Sequence, residues 1–150
     1  MSDDIIICGN RNGPGTRILF LDDMAWRHSE FAKALFKRGV ERVEVHRAWT
    51  AAEAKEYLHM YEFDQVFLDH DLCEEDIMLE VGERGKEASG MDVVDHIVAM
   101  ENPPKDIIVH SLNGPARFEM CRRLEERGGI RVRNLPFHDL LRLLCPAMDY

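Results

Sequence analysis

Three short apolar runs, each breaking off into acidic or imidazole side chains, constrain this chain more than any other feature. Ile18-Leu19-Phe20-Leu21 runs into Asp22-Asp23, Gln65-Val66-Phe67-Leu68 into Asp69-His70-Asp71, and Ile107-Ile108-Val109 into His110-Ser111. Short apolar runs with polar bounds fit strands buried on both faces, as in a parallel sheet. In open parallel sheets, ligands bind just past the carboxyl ends of the strands. If the three strands are neighbours, one crevice collects Asp22, Asp23, Asp69, His70, Asp71, His110 and Ser111.

The rest of the chain supplies the layers such a sheet needs. Strand Arg17 to Leu21 leads into a helix over Trp26 to Arg38, with Trp26, Phe31, Ala34 and Leu35 inward and Gly39 as its stop. Val40 to Ala48 is a second strand, and Thr50-Ala51-Ala52-Glu53 is a capping box opening a second helix. After the strand Gln65 to Asp69, Ser89-Gly90-Met91-Asp92 opens a third helix, with Met91, Val94, Ile97 and Val98 on one face. Asn102-Pro103-Pro104 ends it. Ile107 to His110 is the fourth strand. Asn113 caps the next helix, with Pro115 in its first turn and Phe118, Cys121 and Leu124 inward. Ile130 to Asn134 and His138 to Leu144 complete the series. Five strand–helix units with right-handed crossovers give an α/β fold, a five-stranded parallel sheet covered on both faces. The flavodoxin-like order 2-1-3-4-5 sets strands 1, 3 and 4 side by side. Residues 1–16 read as an N-terminal extension and 17–150 as the domain. Residues 73–88, dense in Glu and broken by Gly82 and Gly85, read as an acidic loop insertion, either a binding loop or a solvated one.

Charge narrows the partners. Asp and Glu number 28 against 19 Lys and Arg, a net charge of −9. That disfavours broad contact with nucleic acid or anionic membrane. A small phosphate ligand stays compatible, because a metal reverses the local sign. The four cysteines lack paired two-residue spacing and fit reduced thiols in the cytoplasm. The acidic start Met1-Ser2-Asp3-Asp4 does not open like an export signal, and no apolar run nears the ~20 residues that span a bilayer.

From residue 17 to about residue 145 the chain resembles a response-regulator receiver domain. Asp22 and Asp23 stand where receivers carry an acidic pair, Asp69 where they carry the phospho-acceptor, and Ser111 where they carry a hydroxyl residue. Ser89-Gly90-Met91 is similar to the opening of the receiver's third helix, and Leu135-Pro136-Phe137 to its Lys-Pro-Phe turn. Leu135 replaces the lysine that meets the phosphoryl group in receivers, and Arg131 and Arg133 are the nearby bases to take its place. The added histidines in Leu68-Asp69-His70-Asp71-Leu72 and Val109-His110-Ser111-Leu112-Asn113 resemble a divergent group, the cyclic-phosphate-processing receiver domains. That resemblance implies action on, or sensing of, cyclic phosphates of nucleotides or RNA ends.

The chemistry follows from crowding. Asp22, Asp23, Asp69 and Asp71 cannot all stay ionised together without a cation or raised pKa values. A divalent metal, Mg²⁺ or Mn²⁺, suits such an oxygen-rich set. His70 and His110 are candidate acid–base groups alongside Asp69. Ser111, Asn113 and Arg117, at a helix start, are candidate phosphate contacts. Each has a plainer use as well: Asp22, Asp23 and Asn113 as caps, His70 as an exposed loop residue, His110 as a core histidine, Ser111 as a turn residue, Arg117 on a solvated face. The expected function is metal-dependent processing of a cyclic phosphate, with a phosphate-bearing small molecule or RNA end as partner. The alternatives are a non-catalytic receiver-like module for a phosphate ligand or protein partner, and a phospho-acceptor switch at Asp69. A haloacid-dehalogenase-like phosphatase is the last, and it would carry its acid–x–acid triplet after the first strand.

Overall fold

The computed structural model describes residues 15–39, 42–72 and 89–145. The expected extension up to residue 14 and the acidic loop 73–88 lie outside the described residues. The elements alternate as β1 (Thr16–Leu21), α1 (Ala25–Arg38), β2 (Val43–Ala48), α2 (Ala51–Met60), β3 (Gln65–Leu68), α3 (Gly90–Ala99), β4 (Asp106–Val109), α4 (Gly114–Arg127), β5 (Arg131–Asn134) and α5 (Phe137–Leu144). All strand pairs are parallel, in the order β2-β1-β3-β4-β5. The expected sheet and its strand order are therefore present.

Two apolar layers explain why β1, β3 and β4 read as unbroken apolar runs. On one face Leu19, Leu21, Val66, Leu68, Ile107 and Val109 pack against α2, α3 and α4. On the other, Ile18, Phe20, Phe67 and Ile108 pack against Phe31, Ala34 and Leu35 of α1 and Phe137, Leu140, Leu141 and Leu144 of α5. Strand side chains alternate between faces, so three apolar central strands require a cover on each side. The register aligns Phe20 with Phe67 and Phe67 with Ile108. Two residues further on, the α1–α5 face receives Asp22, Asp69 and His110. The site begins as the next row of one side-chain ladder.

Two helical phases differ from expectation. Trp26 is 43% exposed rather than inward, because α1 buries His28, Phe31, Ala34 and Leu35. Phe118 is 66% exposed, because α4 buries Met120, Cys121 and Leu124, about a third of a turn away. Among the described residues no helix is long and apolar enough to cross a membrane.

Gly90 fixes the start of α3 against the end of β3. Its N–H donates to the His70 carbonyl at 2.9 Å. A Cβ built there would lie 1.9 Å from the carbonyl oxygen of Asp69. No side chain yields in that contact, so the backbone bearing Asp69 must shift. Gly90→Ala is expected to lose roughly 2–4 kcal/mol of stability, seen as a fall in Tm, with Asp69 displaced from its neighbours.

Candidate functional site

The site is built from the β1–α1 turn outward. Asp22 is buried, and its Oδ1 accepts the Met24 N–H at 2.9 Å, which turns the chain into α1. The ring of His28, also buried, bonds the Asp22 carbonyl oxygen through Nε2 at 2.8 Å. Asp69 follows β3 directly, and its Oδ1 accepts the His70 N–H at 2.9 Å. Carboxylate oxygens of Asp22, Asp23 and Asp69 all lie within 4.8 Å of one another. Burial pushes the Asp22 carboxyl up to about 6. Burial, and then the Asp22 charge beside it, push Asp69 up to about 7.

Arg27, on the first turn of α1, is the cation at this cluster. Its Nη1 stands 3.4 Å from Oδ2 of Asp22 and 3.4 Å from Oδ2 of Asp69. The sequence reading missed it. A signal was available, since an arginine at a helix N-terminus opposes the helix dipole and needs an outside partner. One guanidinium against three carboxylates leaves net negative charge and an all-oxygen donor set. Such a set fits Mg²⁺ or Mn²⁺.

His110 reaches the cluster, but from behind. It is 0% exposed and stacks on Phe20 with ring centroids 5.0 Å apart and planes 1° apart. Its Nδ1 lies 3.7 Å from Asp22 Oδ2, and among the described residues neither ring nitrogen has a hydrogen-bond partner. Burial, then the nearby Arg27 charge, push its pKa down to about 3. The candidate acid–base residue His110 therefore stands sealed behind Asp22, its imidazole held toward the neutral form.

His70 is placed differently. Its ring is partly accessible, and Nδ1 lies 2.6 Å from Asp71 Oδ1. Asn113 Nδ2 donates to the same Asp71 oxygen at 3.3 Å. Asp71 stands outside the group of three carboxylates formed by Asp22, Asp23 and Asp69. β3 ends at Leu68, so strand alternation no longer carries Asp71 onto the face of Asp69.

The remaining candidates are engaged in structure. Asn113 Oδ1 caps α4 by accepting the Ala116 N–H. Ser111 is buried, and its Oγ accepts the Asn113 N–H at 3.1 Å. Arg117 donates to the Ser111 carbonyl at 2.7 Å and to Asn134. Neither substitute for the missing lysine reaches the site. Arg133, in register with Ile108, turns its guanidinium back to Asp106 at 2.6 Å, and Arg131 opens β5 in register with Asp106.

Comparison with known proteins adds to this geometry. The family model described as the cyclic-phosphate processing receiver domain matches residues 17–126. No curated protein matches the chain. Among solved structures, a response regulator from Burkholderia pseudomallei, carrying a phosphorylated aspartic acid, calcium ion and citrate, superposes with TM-score 0.56 at 18% identity, over 86% of this chain and 66% of that one. A CheY-like receiver domain from Methylobacillus flagellatus gives 0.55 at 16%, over 83% and 92%. The phosphorylated cyanobacterial phytochrome response regulator RcpA gives 0.59 at 16%, over 86% and 88%. At these identities the structures speak for the fold.

Proposed function

This chain belongs to the cyclic-phosphate processing receiver domain family, and from that premise we propose that it is a metal-dependent hydrolase opening a cyclic phosphate ester. The observation that carries the reading is an Asp71–His70 pair set beside the Asp22, Asp23 and Asp69 carboxylates. Those three side chains would hold Mg²⁺ or Mn²⁺, which when bound supplies Lewis acidity toward a phosphoryl oxygen and a more acidic water. The protein's own part is proton handling and orientation. Asp71 Oδ1 takes the His70 Nδ1–H and so leaves the lone pair on Nε2. His70 can then accept a proton from an attacking water and return it to the departing ester oxygen. Asn113 steadies Asp71 from the other side. His110, behind Asp22, backs that carboxylate without adding charge.

The fitting substrates are small: a cyclic nucleotide or a 2′,3′-cyclic end, since a net charge of −9 opposes a long polyanion. Purified protein incubated with Mn²⁺ and a panel of 3′,5′- and 2′,3′-cyclic phosphates is expected to yield a linear monoester from at least one of them. EDTA should abolish the yield. No turnover with Mg²⁺, Mn²⁺ or Zn²⁺ by folded protein would contradict the reading.

A non-catalytic receiver-like module is the second reading. The sealing of His110 and the engagement of Ser111 and Arg117 favour it, because they leave His70 alone to move protons. Ligand-induced rises in Tm without turnover would support it.

A further inference from the structure

Resting on that reading of the site, we infer that Arg27 is its phosphate-binding cation. Four observations point there. First, the Arg27 side chain is only 12% exposed, yet its guanidinium is poorly bonded. Its two carboxylate contacts, both 3.4 Å, are long for charge-assisted hydrogen bonds, and its buried Nε has no hydrogen-bond partner among the described residues. Second, it stands beside two aromatic rings. The Trp26 ring centroid lies 5.4 Å from its carbon centre and that of Phe137 5.7 Å away, at cation–π distance, which leaves a planar fork of donors for a phosphate. Third, Phe137 comes from the Leu135-Pro136-Phe137 turn, where Leu135 offers no charge. The turn after β5 thus supplies a wall for a cation brought by α1. Fourth, Arg133 turns its guanidinium away to Asp106, at the start of β4, and does not compete for the role.

The plainer use of Arg27 is to neutralise Asp22 and Asp69 while no metal is bound. The two uses separate once a dication sits on the carboxylates. Neutralisation then becomes redundant, and Arg27→Ala should tighten metal binding and leave anion binding unchanged. A phosphate contact predicts the reverse weighting. With a dication on the carboxylates, Nη1 would be free to bond a phosphate oxygen instead.

The test uses the full chain, Mn²⁺ followed by its electron-spin resonance signal, and inorganic phosphate titrated calorimetrically at saturating Mn²⁺. Wild type, Arg27→Lys, Arg27→Gln and Arg27→Ala are compared, with circular dichroism to confirm folding; the lysine and glutamine variants keep the stem if alanine fails to fold. Phosphate affinity is expected to fall about tenfold or more in Arg27→Ala and Arg27→Gln, and less in Arg27→Lys, the size of one lost charge-assisted contact. Mn²⁺ affinity should stay equal or rise. Phosphate affinity within twofold of wild type in both neutral variants would overturn the role of Arg27 while leaving the metal-site reading standing. Wild type binding no Mn²⁺ would sink both.

Discussion

Asp69→Asn is expected to abolish hydrolysis to background and, in EDTA, to make the protein more stable than wild type. The second effect follows from the same geometry as the first. Asp69 is buried beside Asp22, and its carboxyl is raised to about 7 from an ordinary value of 3.8. A carboxyl raised in the folded state favours folding only while protonated. Below about pH 4 the folded and unfolded chains both hold the proton, and no penalty arises. As pH rises through about 7 the folded protein must either keep a proton the unfolded chain has lost or bury a second charge. Wild type therefore loses stability across that window. About three units correspond to roughly 4 kcal/mol at most, less where Asp22 shares the protonation. Asparagine removes the penalty, so Tm should rise by about 5–10 °C at pH 8 and far less at pH 5. His28 and His110, both held below their ordinary value by burial, tilt each curve the opposite way. They act alike in both proteins, so the difference between the curves is the observable. A gap that shrinks as pH rises would contradict the account.

His70→Ala should lower kcat by roughly 10²- to 10⁴-fold, the usual worth of a positioned general base, with Mn²⁺ affinity little changed. Asp71→Asn should cause a smaller loss, because it leaves the imidazole but exchanges the charged acceptor that fixes its tautomer for a neutral amide. His110→Gln should behave unlike either. It disturbs a buried ring stacked on Phe20, so its main cost should be in Tm and in metal affinity through Asp22. Steady-state kinetics on the best cyclic phosphate, with Mn²⁺ titrations of each variant, separate these roles. If His110→Gln proved as inactive as His70→Ala with metal binding intact, the assignments would be reversed.

The sheet was legible because burial on both faces leaves a distinctive trace: unbroken apolar runs such as Ile18–Leu21 admit few other architectures. Period-two alternation also carried the row Phe20, Phe67, Ile108 forward to Asp22, Asp69 and His110. Two things were beyond that pattern. Depth was one: nothing local distinguishes His110, sealed under the carboxylates, from His70, partly open at the rim. Contacts between layers were the other. Arg27 reaches the cluster through the phase of α1 on the sheet, and Asp71 leaves it because β3 stops at Leu68. Trp26 and Phe118 were misjudged on the same ground, since helical phase is settled by the partner surface. The comparison with receiver structures secures the fold and leaves the chemistry to the site.

One experiment addresses the convergence of β1 and β3 on a single cation most directly: anomalous diffraction from crystals grown with Mn²⁺ at pH 8. The expected map has one strong peak bridged by Asp22, Asp23 and Asp69, with His70 at its rim and His110 outside its ligands. A map with no peak among those three carboxylates at millimolar Mn²⁺, or a peak held elsewhere on the chain, would contradict it.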